Sequence, residues 1–180
     1  DVGPYTLEEC VPYINGWRGM AADAGVELHI ETHRDRMTTD LFFTLHLLDR
    51  FPDLRFTADL SHYVVRREFA WPIDDTNHGL IHRILDNSWG IHGRVASREQ
   101  IQVQLNFPQH KDWVDLFMGW WEYGIRSWKK RAGPDATLTF LCELGPSPYA
   151  ITGADGYELS DRWQEALQMK DMIRTLWRRI

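Results

Sequence analysis

The chain has few cysteines and no cysteine motif. Cys10 and Cys142 are its only two, and they lie far apart without forming a CxxC pair. This usage is typical of a protein from a reducing compartment, so we expect a cytoplasmic location. Cys142 falls in a predicted buried strand and is expected to be an inert core thiol.

Basic residues and long apolar runs are also scarce. The formal net charge is −6, whereas a protein that binds nucleic acid or anionic membrane non-specifically needs a basic face. No apolar run is long enough to span a bilayer, and the residues from Asp1 onward show neither a basic nor an apolar leader. We therefore expect no nucleic-acid partner, no membrane partner and no signal peptide.

What the chain does contain is enough apolar sequence for one core. It has 180 residues, 43% of them apolar, which predicts a single domain over 1–180. Nine residues are Trp, and several cluster in WVDLFMGWWEYGIRSW. Helical spacing favours a large helix face packed on a sheet, while an aromatic wall or a subunit interface of a homo-oligomer stays open as an alternative.

Helical and strand patterns alternate along the chain. Thr6 and Glu9 form a capping-box pattern at the start of the first helix, and Gly25 follows its end. Thr38 or Thr39 is expected to cap the second helix and Ser160 the last one. The patterns predict helices over 6–24, 38–51, 78–87, 111–132 and 158–180, and strands over 26–32, 55–60, 89–95 and 137–144. Short apolar strands alternating with helices are typical of parallel βαβ units, so the predicted class is α/β.

Each predicted strand ends in a residue that can bind a divalent metal: Glu31, Asp59, His92 and Glu143. Three carboxylates and one imidazole suit Mn²⁺, Mg²⁺, Co²⁺ or Zn²⁺ better than a thiophilic metal. Ligands at the carboxyl ends of four successive parallel strands predict a (β/α) barrel of the TIM type with its active site on that face.

The strand count falls short of a whole barrel. An eight-stranded barrel usually needs about 250 residues, and only four convincing strands are predicted here. We therefore expect the chain to supply about the last four βα units of a barrel that is incomplete at its N-terminus, or whose first half comes from another chain.

Further polar residues follow the candidate ligands at short offsets. His62 comes three residues after Asp59, Arg98 comes six residues after His92, and His33 follows Glu31 by two. With these offsets the chain resembles the xylose isomerase-like TIM-barrel superfamily of sugar phosphate isomerases and epimerases, especially the tagatose 3-epimerase type and the hydroxypyruvate isomerase-like proteins. The resemblance runs over about residues 20–150.

The resemblance implies a function and a role for each residue. Glu31, Asp59, His92 and Glu143 would bind one divalent metal ion, and His62 and Arg98 would bind substrate, with His33 lining the site. The substrate would be a small sugar or polyol-derived molecule. The reaction implied is isomerisation or epimerisation through a metal-stabilised enediolate, in which Glu31 and Glu143 both bind metal and move protons. The segment QVQLNFPQHKDW departs from the family spacing and is interpreted as a lid or a contact surface.

Other readings of the same residues remain open. The chain could be a metal-dependent dehydratase or lyase of this superfamily, such as a dehydroshikimate or inosose dehydratase, or a non-catalytic half-barrel module. The apurinic endonuclease branch of the barrel is disfavoured because its Asp-x-His pair is absent and the chain is acidic. Singly, Glu31 and Glu143 could instead pair with nearby arginines, and His92 could be a satisfied core histidine.

Overall fold

A computed structural model describes residues 6–180, and the expectation about a leader concerns residues from Asp1 that lie outside this range. Four parallel strands form one sheet whose spatial order follows the chain: β1 (Ile30–Glu31), β2 (Phe56–Ala58), β3 (Ser88–Gly93) and β4 (Thr139–Cys142). The predicted parallel α/β class is therefore confirmed. Every strand is shorter than its sequence pattern predicted, because only the pieces that pair with a neighbouring strand count as strand.

In the described part of the chain six helices connect and cover these strands: α1 (Leu7–Ala24), α2 (Leu41–Arg50), α3 (Ser61–Arg67), α4 (Asp75–Leu85), α5 (Lys111–Arg131) and α6 (Arg162–Arg179), with a 3-10 turn at Pro108–His110. The sequence patterns did not predict α3, whose seven residues are too few to show a helical period. No helix within residues 6–180 combines the length and the apolar character needed to cross a membrane.

The helix ends show which capping predictions hold. Thr6 and Glu9 form the predicted capping box, and Gly25 ends α1 in the left-handed region at φ 67°. The other two caps were predicted wrongly: Asp40 caps α2 and Asp161 caps α6, each accepting a hydrogen bond from the backbone amide three residues on. A carboxylate oxygen serves as well as a hydroxyl at this position, so neighbouring Thr, Ser and Asp residues compete for the same role.

The core lies between the central strands and the helices α4 and α5. The tryptophan-rich segment forms α5, and Trp120, Trp121 and Trp128 lie on its buried face. Trp121 meets Phe140 of β4 edge-on, with ring centroids 5.2 Å apart. The prediction of a helix face packed on a sheet is confirmed.

The two outer strands are less buried than the two central ones. In β4 Thr139 and Leu141 are exposed, with Leu141 48% accessible. Cys142 is only half-buried at the end of this strand and packs against the core instead of within it, so its expected place in the core was wrong. Burial nonetheless raises the pKa of its thiol.

Candidate metal centre

Four side chains converge at the carboxyl ends of the four strands. Glu31 ends β1, Asp59 follows β2, His92 lies near the end of β3 and Glu143 follows β4. Each offers one ligand atom, and these atoms all lie within 4.8 Å of one another. The structure therefore brings together the four residues that the sequence singled out.

Hydrogen bonds between threonine hydroxyls and the backbone set the positions of these strand ends. Thr32 lies at the boundary between β1 and β2, where its hydroxyl donates to the carbonyl of Asp59 (2.9 Å) and accepts from the amide of Asp59 (2.8 Å). The Thr38 hydroxyl donates to the carbonyl of Glu31 (2.7 Å) and accepts from the amide of His33 (3.0 Å). Both threonines are almost fully buried, so the loop after β1 is tied to its neighbours by satisfied hydrogen bonds.

The imidazole of His92 lies between two carboxylates. Its Nδ1 is 3.1 Å from Oε1 of Glu31 and 2.8 Å from Oε2 of Glu143. The hydrogen bond to Glu143 raises the pKa of His92, and burial opposes that rise. The same contact to His92 lowers the pKa of Glu143, with Arg94 adding to the effect. Two oxygens facing one ring nitrogen form an arrangement in which a metal ion can replace the shared proton.

Asp59 is the fully buried member of the cluster, with 0% of its surface accessible. Its Oδ1 accepts hydrogen bonds from the amide and the hydroxyl of Ser61, while Oδ2 has no hydrogen-bond partner within residues 6–180. Burial raises the pKa of Asp59 to about 6, even though the nearby Arg94 acts in the opposite direction.

His62 lies against Asp59, with its Nε2 3.4 Å from Oδ2 of the carboxylate. This contact is not an ion pair, because burial first and His33 second lower the pKa of His62 to about 2 and keep the ring neutral. Among the described residues neither ring nitrogen of His62 has a hydrogen-bond partner. The ring of His33 lies 3.9 Å from that of His62 between centroids, so both histidines named from the sequence join the site.

Arg98 does not join it. Its side chain is 44% accessible and pairs with the adjacent Glu99. The arginine in the cluster is Arg94, only 3% accessible, whose Nε is 3.3 Å from Oδ2 of Asp59 and whose Nη2 donates to Oε1 of Glu143. An offset of six residues from His92 thus leads onto an exposed loop, whereas an offset of two leads into the site.

Arg94 was missed, although the sequence carries a signal for it. Side chains two apart in a strand point to the same face, so a residue two positions after His92 follows it toward the same side of the sheet. From the sequence, Glu143 could either pair with an arginine or bind metal. In the structure it contacts Arg94 and also belongs to the ligand cluster.

The segment before α5 forms part of the support for the site. Gln102 is 2% accessible and exchanges two hydrogen bonds of 2.8 Å with the backbone of Gly145. The amide of Val103 donates to the carbonyl of Val95 (2.9 Å). The start of this segment is therefore packed against the loop that follows Glu143, instead of forming the exposed lid or contact surface that was expected.

The residues present fit a divalent metal ion. Three carboxylates and one guanidinium leave an excess of negative charge at the cluster. Two like charges about 5 Å apart repel by about 3 kcal/mol at an effective dielectric constant of about 20. Oδ2 of Asp59 is a buried oxygen without a hydrogen-bond donor in the described part of the chain, and the buried Oε2 of Glu143 faces Nδ1 of His92 at 2.8 Å. A cation coordinated by oxygen and nitrogen would satisfy these atoms and offset the repulsion.

Space for a small molecule lies beside Glu31. A cavity of about 410 Å³ is lined by Glu31 together with Tyr13, Trp17, Arg36 and Met37. Cavities of this size accommodate small ligands. Comparison with known protein families, curated proteins and solved structures found no match to this chain.

Proposed function

We propose that this chain belongs to a (β/α) barrel of the xylose isomerase-like type and acts as a divalent-metal-dependent isomerase or epimerase of a small sugar or polyol-derived substrate. One observation carries the proposal: four ligand atoms from the ends of four successive parallel strands lie within 4.8 Å of one another. A spatial strand order equal to the chain order supports the barrel part, because a doubly wound sheet reverses its order at a switch point.

The proposed metal ligands are Glu31, Asp59, His92 and Glu143. Their oxygen and nitrogen donors suit Mn²⁺, Mg²⁺, Co²⁺ or Zn²⁺. Ser61 orients Asp59 through two hydrogen bonds to Oδ1, which leaves Oδ2 directed toward the cluster. Hydrogen bonds of this kind to a ligand are a regular feature of protein metal sites.

The proposed chemistry is proton transfer next to a carbonyl group. The bound ion would polarise the carbonyl and an adjacent hydroxyl of the substrate. A carboxylate with a free oxygen would take the proton from the neighbouring carbon and return it, which is general base and general acid catalysis by one kind of group. His62, neutral and with both ring nitrogens unpartnered in the described chain, can exchange hydrogen bonds with a substrate hydroxyl, and His33 lies beside it.

Metal binding is the first test. The protein, stripped with a chelator and titrated with Mn²⁺ in a calorimeter, is expected to bind one ion, and Asp59→Asn and Glu143→Gln are each expected to weaken binding by at least about tenfold. Asp49→Asn is the matched control, because Asp49 is an exposed carboxylate paired with Arg83. Absence of Mn²⁺ binding, or equal binding by all variants, contradicts the proposal.

Turnover is the second test. The Mn²⁺-loaded protein is incubated with free ketoses, aldoses and polyol-derived ketones in D₂O, and the products are followed by proton NMR. Exchange of a C–H proton next to the carbonyl, with formation of an isomer or epimer, is expected. Loss of water with a new conjugated absorbance would instead assign the chain to the dehydratases, and a protein that binds metal but exchanges no proton would be a non-catalytic module.

A further inference from the structure

The two glutamates of the cluster have different surroundings. Both oxygens of Glu143 face a cationic group or a ring nitrogen: Oε1 accepts from Arg94, and Oε2 is 2.8 Å from Nδ1 of His92. Glu31 approaches His92 with Oε1, at 3.1 Å, and the structure shows no arginine bound to it as Arg94 is bound to Glu143 within residues 6–180. The side chain of Glu31 is also the more accessible one, at 40% against 31%.

Arg94 is held in place on several sides. Its side chain is 3% accessible, it contacts Asp59 and Glu143 from two different strands, and the ring of Tyr149 lies 4.8 Å from its guanidinium carbon. The planar guanidinium can bind two carboxylates at once in a fixed geometry, which an ammonium group cannot do. Arg94 therefore restrains Glu143 and Asp59 together.

The loop after Glu143, which carries Tyr149, is held in place by hydrogen bonds. Gln102 bonds both the amide and the carbonyl of Gly145, and the loop continues through a turn closed by the bond from the amide of Tyr149 to the carbonyl of Pro146 (2.9 Å). Glu143 thus sits between a buried arginine and a tethered loop. Glu31 has the cavity of about 410 Å³ at its side.

We propose that Arg94 is a positioning residue that keeps Glu143 as a fixed ligand, so that Glu31 alone transfers protons and the reaction is an aldose–ketose isomerisation, not an epimerisation. This inference rests on the function proposed above. Glu31 takes the proton from the carbon next to the carbonyl, and the electron pair of the broken C–H bond enters the enediolate. The same carboxylate then returns the proton to the neighbouring carbon, while the proton of the adjacent hydroxyl passes to the former carbonyl oxygen, so the carbonyl moves by one position and no atom is gained or lost.

Epimerisation at one carbon requires a second group that delivers a proton to the opposite face of the substrate. The resemblance to known epimerases assigns that part to Glu143. In this chain Arg94 and His92 engage both oxygens of that residue. The substrate class that fits is an α-hydroxy aldehyde and its α-hydroxy ketone.

A metal-binding cycle tests the role of Arg94 without turnover. Arg94→Lys keeps the charge and loses the two-carboxylate geometry, so Mn²⁺ affinity measured by calorimetry is expected to fall about tenfold. In the double variant with Glu143→Gln, the loss of Mn²⁺ affinity is expected to be smaller than the product of the two single losses, because both changes act through Glu143. In the double variant with Glu31→Gln, the two losses of affinity are expected to multiply. Arg83→Lys, at an exposed ion pair between α2 and α4, is the control for an arginine-to-lysine change, and thermal midpoints monitor folding.

Wild-type affinity in Arg94→Lys, or full multiplication of its loss with that of Glu143→Gln, overturns the positioning role. For the proton transfer, variants saturated with Mn²⁺ are assayed for C–H exchange in D₂O with a panel of free aldoses and ketoses. Glu31→Gln is expected to lose exchange by at least about 100-fold and Glu143→Gln by no more than about tenfold, with isomers as products.

Three outcomes separate this inference from the function on which it rests. A C3 epimer as the product, or a greater loss in Glu143→Gln than in Glu31→Gln, overturns the inference and leaves a metal-dependent proton-transfer enzyme. A wild-type protein that binds no Mn²⁺, or that exchanges no proton in the whole panel, overturns both.

Discussion

The two central strands and the two outer strands of the sheet bring different kinds of residue to the candidate metal centre. β2 and β3 are mostly buried and lead into Asp59 and Arg94, which are 0% and 3% accessible. β1 and β4 are half-exposed and lead into Glu31 and Glu143, whose side chains are 40% and 31% accessible. The central strands provide the groups that are shielded from water, and the outer strands provide the groups that solvent can reach. The site therefore combines buried groups from the central strands with more accessible groups from the outer strands.

The largest expected effect is on the free energy of unfolding, and it distinguishes a buried residue of a central strand from an exposed residue of an outer strand. Phe56→Ala on β2 removes a side chain that is 0% accessible, and a loss of about 3–5 kcal/mol in the free energy of unfolding is expected. Leu141→Ala on β4, where the side chain is 48% accessible, is expected to change it by no more than about 0.5 kcal/mol. Denaturant titration measures both, and equal losses would show that the outer face of β4 is as well covered as β2.

The next effect concerns the contact between the central strand β3 and the outer strand β4. A Cβ at Gly93 would lie 2.3 Å from Cε1 of Phe140 and 2.7 Å from Sδ of Met169, so Gly93→Ala displaces the Phe140 ring on β4 and the Met169 side chain on α6. A destabilisation of about 1–3 kcal/mol is expected, together with weaker Mn²⁺ binding, because His92 and Arg94 flank this residue. Gly119→Ala on α5 meets nothing within 4 Å and is expected to stabilise by about 0.5–1 kcal/mol. Unchanged Mn²⁺ affinity in Gly93→Ala would mean that the packing around Gly93 does not determine the ligand geometry.

A third effect is the dependence of metal binding on pH. In the metal-free protein burial raises the pKa of Asp59 to about 6 and Glu143 raises the pKa of His92, so both ligands hold a proton more tightly than usual. A proton on a ligand excludes the ion, and Mn²⁺ affinity is therefore expected to fall as pH decreases from 8 to 5. The fall approaches about tenfold per pH unit for each ligand once the pH is below its pKa.

Calorimetry in two buffers with different heats of ionisation measures the protons released on binding. Release is expected to increase toward pH 5. An affinity that stays constant between pH 8 and pH 5 would contradict the placement of Asp59 and His92 in the ligand set. Glu143 contributes little over this range, because its pKa is lowered and it is already ionised.

The smallest effect concerns α6, the helix that packs on the edge strand β4. Asp161→Ala removes the side-chain acceptor for the amide of Gln164 (3.0 Å) and is expected to cost about 1 kcal/mol. Ser160→Ala, at the residue that the sequence favoured as the cap, is expected to cost only a few tenths of that amount. Thermal unfolding distinguishes the two, and the reverse order would move the start of α6 back by one residue.

Much of the fold followed from local signals. Thr6, Glu9 and Gly25 define α1 through side-chain caps and a left-handed residue, which depend only on neighbours in sequence. The tryptophans of α5 repeat with helical spacing, and their buried face follows from that spacing. The caps of α2 and α6 were harder to predict, because several residues that can cap a helix stand side by side. Helix α3 was missed because its seven residues show too little of a helical period.

The candidate site was also partly predictable. Glu31, Asp59, His92 and Glu143 are each visible as a polar residue that interrupts an apolar strand, and strand ends in a parallel sheet meet at one edge. Arg98 was chosen over Arg94 because the sequence offset was compared with a family pattern, whereas the side chain follows the alternation of the strand. Gln102 gives no sequence signal, since its bonds to Gly145 join segments 43 residues apart.

The sequence by itself therefore determined the alternation of helices and strands, the residue type at each strand end and the net negative charge, because these depend on residue identity and short-range spacing. Tertiary structure decided which arginine enters the site, which histidines contact each other and which glutamate that arginine binds. These properties depend on distances between chain segments that are far apart in sequence, and on burial, which raises the pKa of Asp59 and lowers that of His62 only once the strands and loops have packed together.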